Sequence, residues 1–79
     1  MSAAATRDDL ASVVTALSES AAMQRRWQSE YKDRAALCDG DSLLHGLWLR
    51  FAAEARGTAL AFEISADMIR KYVTGAPNA

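Results

Sequence analysis

The stretch "LLHGLWLRFAAEARGTALAFEISADMIRKYV" (residues 43–73) decides the fold, because apolar side chains recur along it at the period of an α-helix. The recurring positions form one stripe: Leu44, Trp48, Phe51, Ala55, Ala59, Phe62, Ala66, Ile69 and Val73. The average step along this stripe is about 3.6 residues, and the stripe keeps its register through Gly57. The pattern predicts one continuous helix over about 42–74, followed by a flexible tail over 75–79.

A turn is expected immediately before this helix, at "CDGDS" (residues 38–42). Gly40 can take the left-handed conformation that ends a helix, and Asp41 or Ser42 can cap the helix that follows. A short turn makes the preceding helix antiparallel to the long one. The second half of the chain therefore belongs to a helical hairpin.

The first half carries two apolar stripes that point in different directions. Leu10, Val14, Leu17 and Ala21 form the first; Met23, Trp27, Tyr31, Arg34 and Cys38 form the second. At about 100° per residue the two stripes lie roughly a quarter-turn apart, and "SES" (residues 18–20) stands at the change-over. We expect a break there, which gives helices over about 7–18 and 20–38; one uninterrupted helix is the alternative. The prediction is a single all-α domain over 1–79: a short first helix plus a hairpin of two long antiparallel helices, a three-helix bundle that self-association would complete.

Gly57 lies inside the long helix, where glycine costs about 1 kcal/mol relative to alanine. With Ala53 and Ala61 it forms a strip of small residues that would let another helix approach closely. In a hairpin whose facing residue numbers add to about 80, Trp27 falls opposite Ala53 and Met23 opposite Gly57. We therefore predict close helix packing at these five positions. A tolerated surface glycine, or a break at "RGT" (residues 56–58), is the alternative.

Packing through the small strip would leave the stripe of large side chains on the long helix partly uncovered. Large exposed apolar patches mark interaction surfaces. The predicted partner-binding residues are Trp48, Phe51, Phe62, Ile69, Tyr72 and Tyr31.

No motif in the sequence carries recognisable chemistry. Cys38, Asp39, Asp41 and His45 cluster at the turn, but their spacing matches neither a zinc nor a calcium pattern. A Ser42–His45 pair lacks a recognisable oxyanion hole. We expect no enzyme, no cofactor and no metal.

Nine basic and ten acidic residues leave a formal net charge of −1, which does not favour nucleic acid or membrane binding. The lone Cys38 and the lack of a long apolar run favour a cytoplasmic protein. We expect a non-enzymatic protein-binding module, a small adaptor, regulator or inhibitor that forms a homo-oligomer and binds a protein partner of unknown identity. A helical nucleic-acid-binding protein that uses Arg25 and Arg26 is the alternative.

Overall fold

The computed structural model describes residues 7–75, which form two long α-helices and no strands. Helix α1 spans Arg7–Ala36 and helix α2 spans Leu43–Gly75. A turn over residues 37–42 joins them, and the two helices pack side by side as an antiparallel hairpin. The molecule is elongated, with extents of 56 × 26 × 15 Å. The predicted tail covered 75–79; Gly75 is the last residue of α2, and residues 76–79 lie outside the described residues.

The all-α fold and the continuous long helix are confirmed, since α2 passes through Gly57 without interruption. The predicted break at residues 18–20 is wrong. Helix α1 is continuous across "SES", so the described part of the chain contains a hairpin of two helices instead of a short helix plus a hairpin.

The reason lies in which residues of α1 face α2. These seam positions are buried or half-buried and follow alternating steps of four and three: Leu10, Val14, Leu17, Ala21, Gln24, Gln28, Tyr31, Ala35 and Cys38. Gln24 and Gln28 lie in the seam, whereas the prediction had placed the preceding residues, Met23 and Trp27, on the packing stripe. Because these glutamines continue the first stripe, the buried face does not change direction and the helix needs no break.

The seam of α2 follows the same spacing: His45, Trp48, Ala52, Ala55, Ala59, Phe62, Ala66, Ile69 and Val73. Alternating steps of three and four make a seven-residue repeat, which is typical of paired helices that wind around each other. Between residues 7 and 73 the buried side chains are all alanines: Ala21, Ala35, Ala52, Ala55, Ala59 and Ala66. Small side chains at a contact let two helix axes come close together. The core of the described hairpin is thus an alanine seam, and no large side chain in it is fully buried.

The prediction of close packing at the small strip is wrong for this hairpin. Ala53, Gly57 and Ala61 are exposed, and a Cβ atom added to Gly57 would meet no other atom within 4 Å. Met23 and Trp27, assigned to the same contact, are also exposed. Helix α1 packs instead on the face of α2 that carries Trp48, Ala55, Ala59, Phe62 and Ile69. Gly57 is a tolerated surface glycine.

The register of the hairpin also differs from the prediction. Arg25 contacts Glu63, and Ser18 contacts Arg70, so the residue numbers of each pair add to 88. The predicted sum was about 80. When the seam residues of the two helices are paired in order, from Leu10 with Val73 to Cys38 with His45, the residue numbers of every pair add to 83, so backbone positions at equal height add to about 83.

Side-chain and backbone hydrogen bonds close the turn between the helices. The backbone N–H of His45 donates to Ser42 Oγ at 3.1 Å, and this hydroxyl donates to the carbonyl of Asp39 at 2.8 Å. Ser42 is therefore the N-cap of α2. It is one of the two residues, Asp41 and Ser42, that the sequence analysis predicted for this role. The His45 ring lies in the seam, with Nδ1 2.9 Å from the carbonyl oxygen of Ala35. Gly40 does not take the predicted left-handed conformation, since no glycine within residues 7–75 has a positive φ.

Candidate functional site

The seam divides the surface of the hairpin into two flanks of opposite character. On one flank, the Arg25 guanidinium donates to both carboxylate oxygens of Glu63, at 2.8 Å from Nη2 and 3.1 Å from Nε. One helical heptad away, Arg70 Nη2 donates to Ser18 Oγ at 3.1 Å. We call this side the polar flank; its residues are Ser18, Arg25, Lys32, Leu49, Arg56, Glu63 and Arg70.

The Arg25–Glu63 pair joins the two helices across this polar flank. The hydrogen bonds that Arg25 donates to Glu63 raise the pKa of the Arg25 guanidinium and lower the pKa of the Glu63 carboxyl. Both side chains remain partly exposed to solvent. The nucleic-acid alternative relied on Arg25 and Arg26, and the hairpin already engages the first of these guanidinium groups.

The opposite side is the apolar flank. It consists of large side chains that the seven-residue repeat places beside the seam, all of them exposed: Val13, Met23, Trp27, Leu37, Leu44, Leu47, Phe51, Met68 and Tyr72. Leu43, Leu49, Leu60 and Ile64 are exposed elsewhere on α2. The apolar flank has members from the turn to the opposite end of the hairpin. Between Phe51 and Met68 the equivalent positions of α2 hold Glu54, Thr58, Ala61 and Ser65, so the large side chains at the middle of the flank are Met23 and Trp27 of α1.

Three aromatic rings form a cluster in the half of this flank that is nearer the turn. The ring centroids of Tyr31, Trp48 and Phe51 lie 5.8 Å from one another in each pair, stacked for Tyr31 and Trp48 and edge-on for Trp48 and Phe51. The Arg34 guanidinium carbon lies 5.2 Å from the centre of the Trp48 ring, within the range of a cation–π contact. Phe51 thus packs against two rings while it remains 41% exposed at the surface. Rigid aromatic side chains and arginine are the residue types that most often dominate binding at interfaces.

The predicted partner-binding residues fall into two groups. Tyr31, Trp48 and Phe51 are brought together in the aromatic cluster, and Tyr72 is exposed at the far end of the same flank. In contrast, Phe62 and Ile69 are half-buried in the seam against α1, so the prediction that they face a partner is wrong for this hairpin. The prediction placed them on an uncovered face because it assigned α1 to the small strip.

Most of the apolar flank was missed by the sequence prediction. Val13, Met23, Leu44, Leu47 and Met68 were not among the predicted partner-binding residues, although all are exposed on this flank. A seven-residue repeat that accepts glutamine as a seam residue predicts the observed seam of both helices. These five residues then fall beside the seam.

The turn does not assemble a chemical site. The Ser42 hydroxyl accepts from the backbone N–H of His45, whereas the His45 ring contacts the carbonyl of Ala35. Cys38 Sγ lies 3.4 Å from the carbonyl oxygen of Arg34. Between residues 7 and 75, no three His, Cys, Asp or Glu side chains are grouped so as to hold a metal ion.

Neither of the two described helices combines the length and apolar character needed to cross a bilayer. Comparison with protein-family models, with curated proteins and with solved structures found no match to this chain.

Proposed function

We propose that the chain is a non-enzymatic protein-binding module that occupies a surface of its partner through the apolar flank. The observation that carries this proposal is the set of nine large exposed side chains on one side of the hairpin, with Phe51 in the half nearer the turn, Trp27 near the middle and Tyr72 at the far end. Large exposed apolar patches on a folded protein mark interaction surfaces.

The composition of the flank supports a protein partner. Tryptophan, tyrosine, phenylalanine, methionine and arginine are the residues enriched in protein–protein interfaces. The flank presents Trp27, Met68 and Tyr72, and the guanidinium of Arg34 lies against the aromatic cluster at its edge. Such a surface suits a small adaptor, regulator or inhibitor that binds other proteins and itself. The single cysteine suits the reducing conditions of the cytoplasm.

A pair of matched variants tests the proposal. Phe51 and Leu49 are 41% and 44% exposed, and they lie on the apolar and polar flanks respectively. Affinity capture from a lysate of the native host, with identification by mass spectrometry, would use the wild-type chain, Phe51→Glu and Leu49→Glu. We expect one or more proteins to be captured by wild type and Leu49→Glu but lost with Phe51→Glu.

Far-ultraviolet circular dichroism of the three chains serves as the control for folding. If all three are equally helical and capture the same proteins in the same amounts, binding does not use the apolar flank and the proposal fails.

A further inference from the structure

We propose that a second copy of this chain occupies the apolar flank, and that the two hairpins lie antiparallel as a four-helix bundle in which α1 packs on α1 and α2 on α2. This inference rests on the proposed function, because it names the occupant of the same surface. It adds the identity of the partner, its orientation and its register.

The exposure of the apolar flank is the first argument. Its nine large side chains are between 37% and 87% exposed. A second copy that presents the same flank would cover these side chains on both chains at once, because an isologous contact uses the same surface patch twice. The contact would then have the apolar core that stable interfaces contain.

The alanine seam is the second argument. Stable domains pack two layers of secondary structure around a core that contains large apolar side chains. A hairpin of two helices is a single layer, and its fully enclosed residues within the described chain are alanines alone. Stacking two such hairpins through their apolar flanks supplies the second layer and buries Trp27 and Phe51 between them.

The order of side chains along the flank sets the direction of the second copy. A twofold axis that crosses α1 between Met23 and Trp27 brings Met23 of each copy to Trp27 of the other. The same axis crosses α2 between Thr58 and Ala61, and it brings Phe51 of one copy to Met68 of the other. It also places Leu47 against Tyr72 and Val13 against Leu37 of the second copy. Large apolar side chains thus meet across the interface in both helix pairs, and each contact occurs twice, as an isologous dimer requires.

The charged residues of the flank favour this antiparallel direction. Glu30 in α1 and Glu54 in α2 lie at the same height in the hairpin, near the turn. If the two hairpins were parallel, α1 would lie over α2 of the second copy and these like charges would face each other. In the antiparallel arrangement Glu30 instead faces Ser20, and Glu54 faces Ser65, so the carboxylates meet hydroxyl groups.

The test measures mass and then distance. Light scattering after size exclusion should give about 17 kDa at micromolar concentration, twice the 8.5 kDa of one chain. A spin label at Asp41→Cys, in a Cys38→Ser background, then reports the separation of the two turns by pulsed dipolar spectroscopy. Asp41 is exposed and lies on neither flank. At 1.5 Å per residue, the antiparallel dimer predicts roughly 40–45 Å, whereas a parallel dimer places the labels within about 25 Å.

Matched variants locate the interface. Trp27→Glu on the apolar flank should raise the dimer dissociation constant at least about 30-fold, and Leu49→Glu on the polar flank should leave it unchanged. Their exposures of 40% and 44% make the two changes comparable. Met68→Glu, at a more exposed position of the apolar flank, gives the same test without disturbing the hairpin. Circular dichroism confirms the helicity of each variant.

Each other outcome overturns the inference in a distinct way. A monomer of 8.5 kDa rejects the second copy, while loss of capture in Phe51→Glu would still support binding of a different protein. A dimer with a label distance below about 25 Å rejects the antiparallel direction. A dimer that Leu49→Glu disrupts and Met68→Glu does not rejects the apolar flank as the interface.

Discussion

Replacing Ala59 with leucine tests the alanine seam directly. Ala59 is fully buried at the middle of α2, and two further seam alanines, Ala55 about one turn before it and Ala66 about two turns after it, are buried as well. Leucine adds three carbon atoms where there is no free space, so the helices must move apart locally. Exposing the methyl groups of Ala55 and Ala66 costs about 0.8 kcal/mol each, and strain in the leucine side chain adds to this. We expect a loss of about 1–3 kcal/mol, against a total stability of about 4–12 kcal/mol for a chain of this length.

Gly57→Leu is the matched control, because it introduces the same side chain two residues away on the opposite side of the same helix. A Cβ atom at Gly57 meets nothing within 4 Å, so this change should be neutral or should stabilise by up to about 1 kcal/mol through helix propensity. Urea denaturation followed by circular dichroism, at one fixed protein concentration, gives both free energies of unfolding. Equal stability of Ala59→Leu and Gly57→Leu would refute the seam described above.

Three further changes probe the turn, the polar flank and the aromatic cluster. Ser42→Ala removes the N-cap of α2 and should cost about 1 kcal/mol by urea denaturation; an unchanged midpoint would mean that the cap does not stabilise the helix. Arg25 lowers the pKa of Glu63 in the folded state, so the pair stabilises the fold above the unfolded pKa of about 4.3 and this contribution is lost as the pH falls through the lower native value. Glu63→Gln should therefore weaken the dependence of the unfolding free energy on pH between roughly pH 5 and 3, and an unaltered slope would contradict this assignment. Arg34→Met keeps most of the aliphatic side chain but removes the cation over Trp48; we expect a loss of about 0.5–1 kcal/mol and a change in tryptophan fluorescence, and no change in either would show that the contact contributes nothing.

The proposed dimer would link these measurements to protein concentration. Binding of a second folded copy stabilises the native state by mass action, so the free energy of unfolding should rise with concentration. A variant in the seam such as Ala59→Leu would weaken the hairpin and the dimer together. Trp27→Glu, in contrast, should remove the concentration dependence while the hairpin itself stays helical.

The local features of this chain could be predicted from its sequence. The regular recurrence of apolar residues from Trp48 to Val73 predicted the long helix, and that helix is observed over Leu43–Gly75. Ser42 was recognised as one of two possible caps, and the turn at residues 38–42 was expected. These features depend on hydrogen bonds and side-chain spacing within a few residues, which the sequence states directly.

The buried face of α1 could not be predicted in the same way. Met23 and Trp27 are larger and more apolar than Gln24 and Gln28, yet the glutamines lie in the seam and the larger residues are exposed. Judged by side-chain type, the stripe changes direction at residues 18–20; judged by the seven-residue repeat, it does not. The period of a straight α-helix, 3.6 residues per turn, and that of the seven-residue repeat, 3.5 residues per turn, differ by only about 20° per heptad. The sequence of one helix alone therefore does not show which period its buried face follows.

The sequence by itself determined that this chain forms long helices joined by a tight turn, because helix formation and capping are local. Only the tertiary structure decided that alanines such as Ala59 meet at the contact while Gly57 faces outward, and that nine of the exposed large side chains lie on one flank. Each helix has more than one face able to pack, and the free energies of these faces differ by the burial of a few side chains. That choice is made by both helices together, because the area that one face buries depends on the shape of the face it meets.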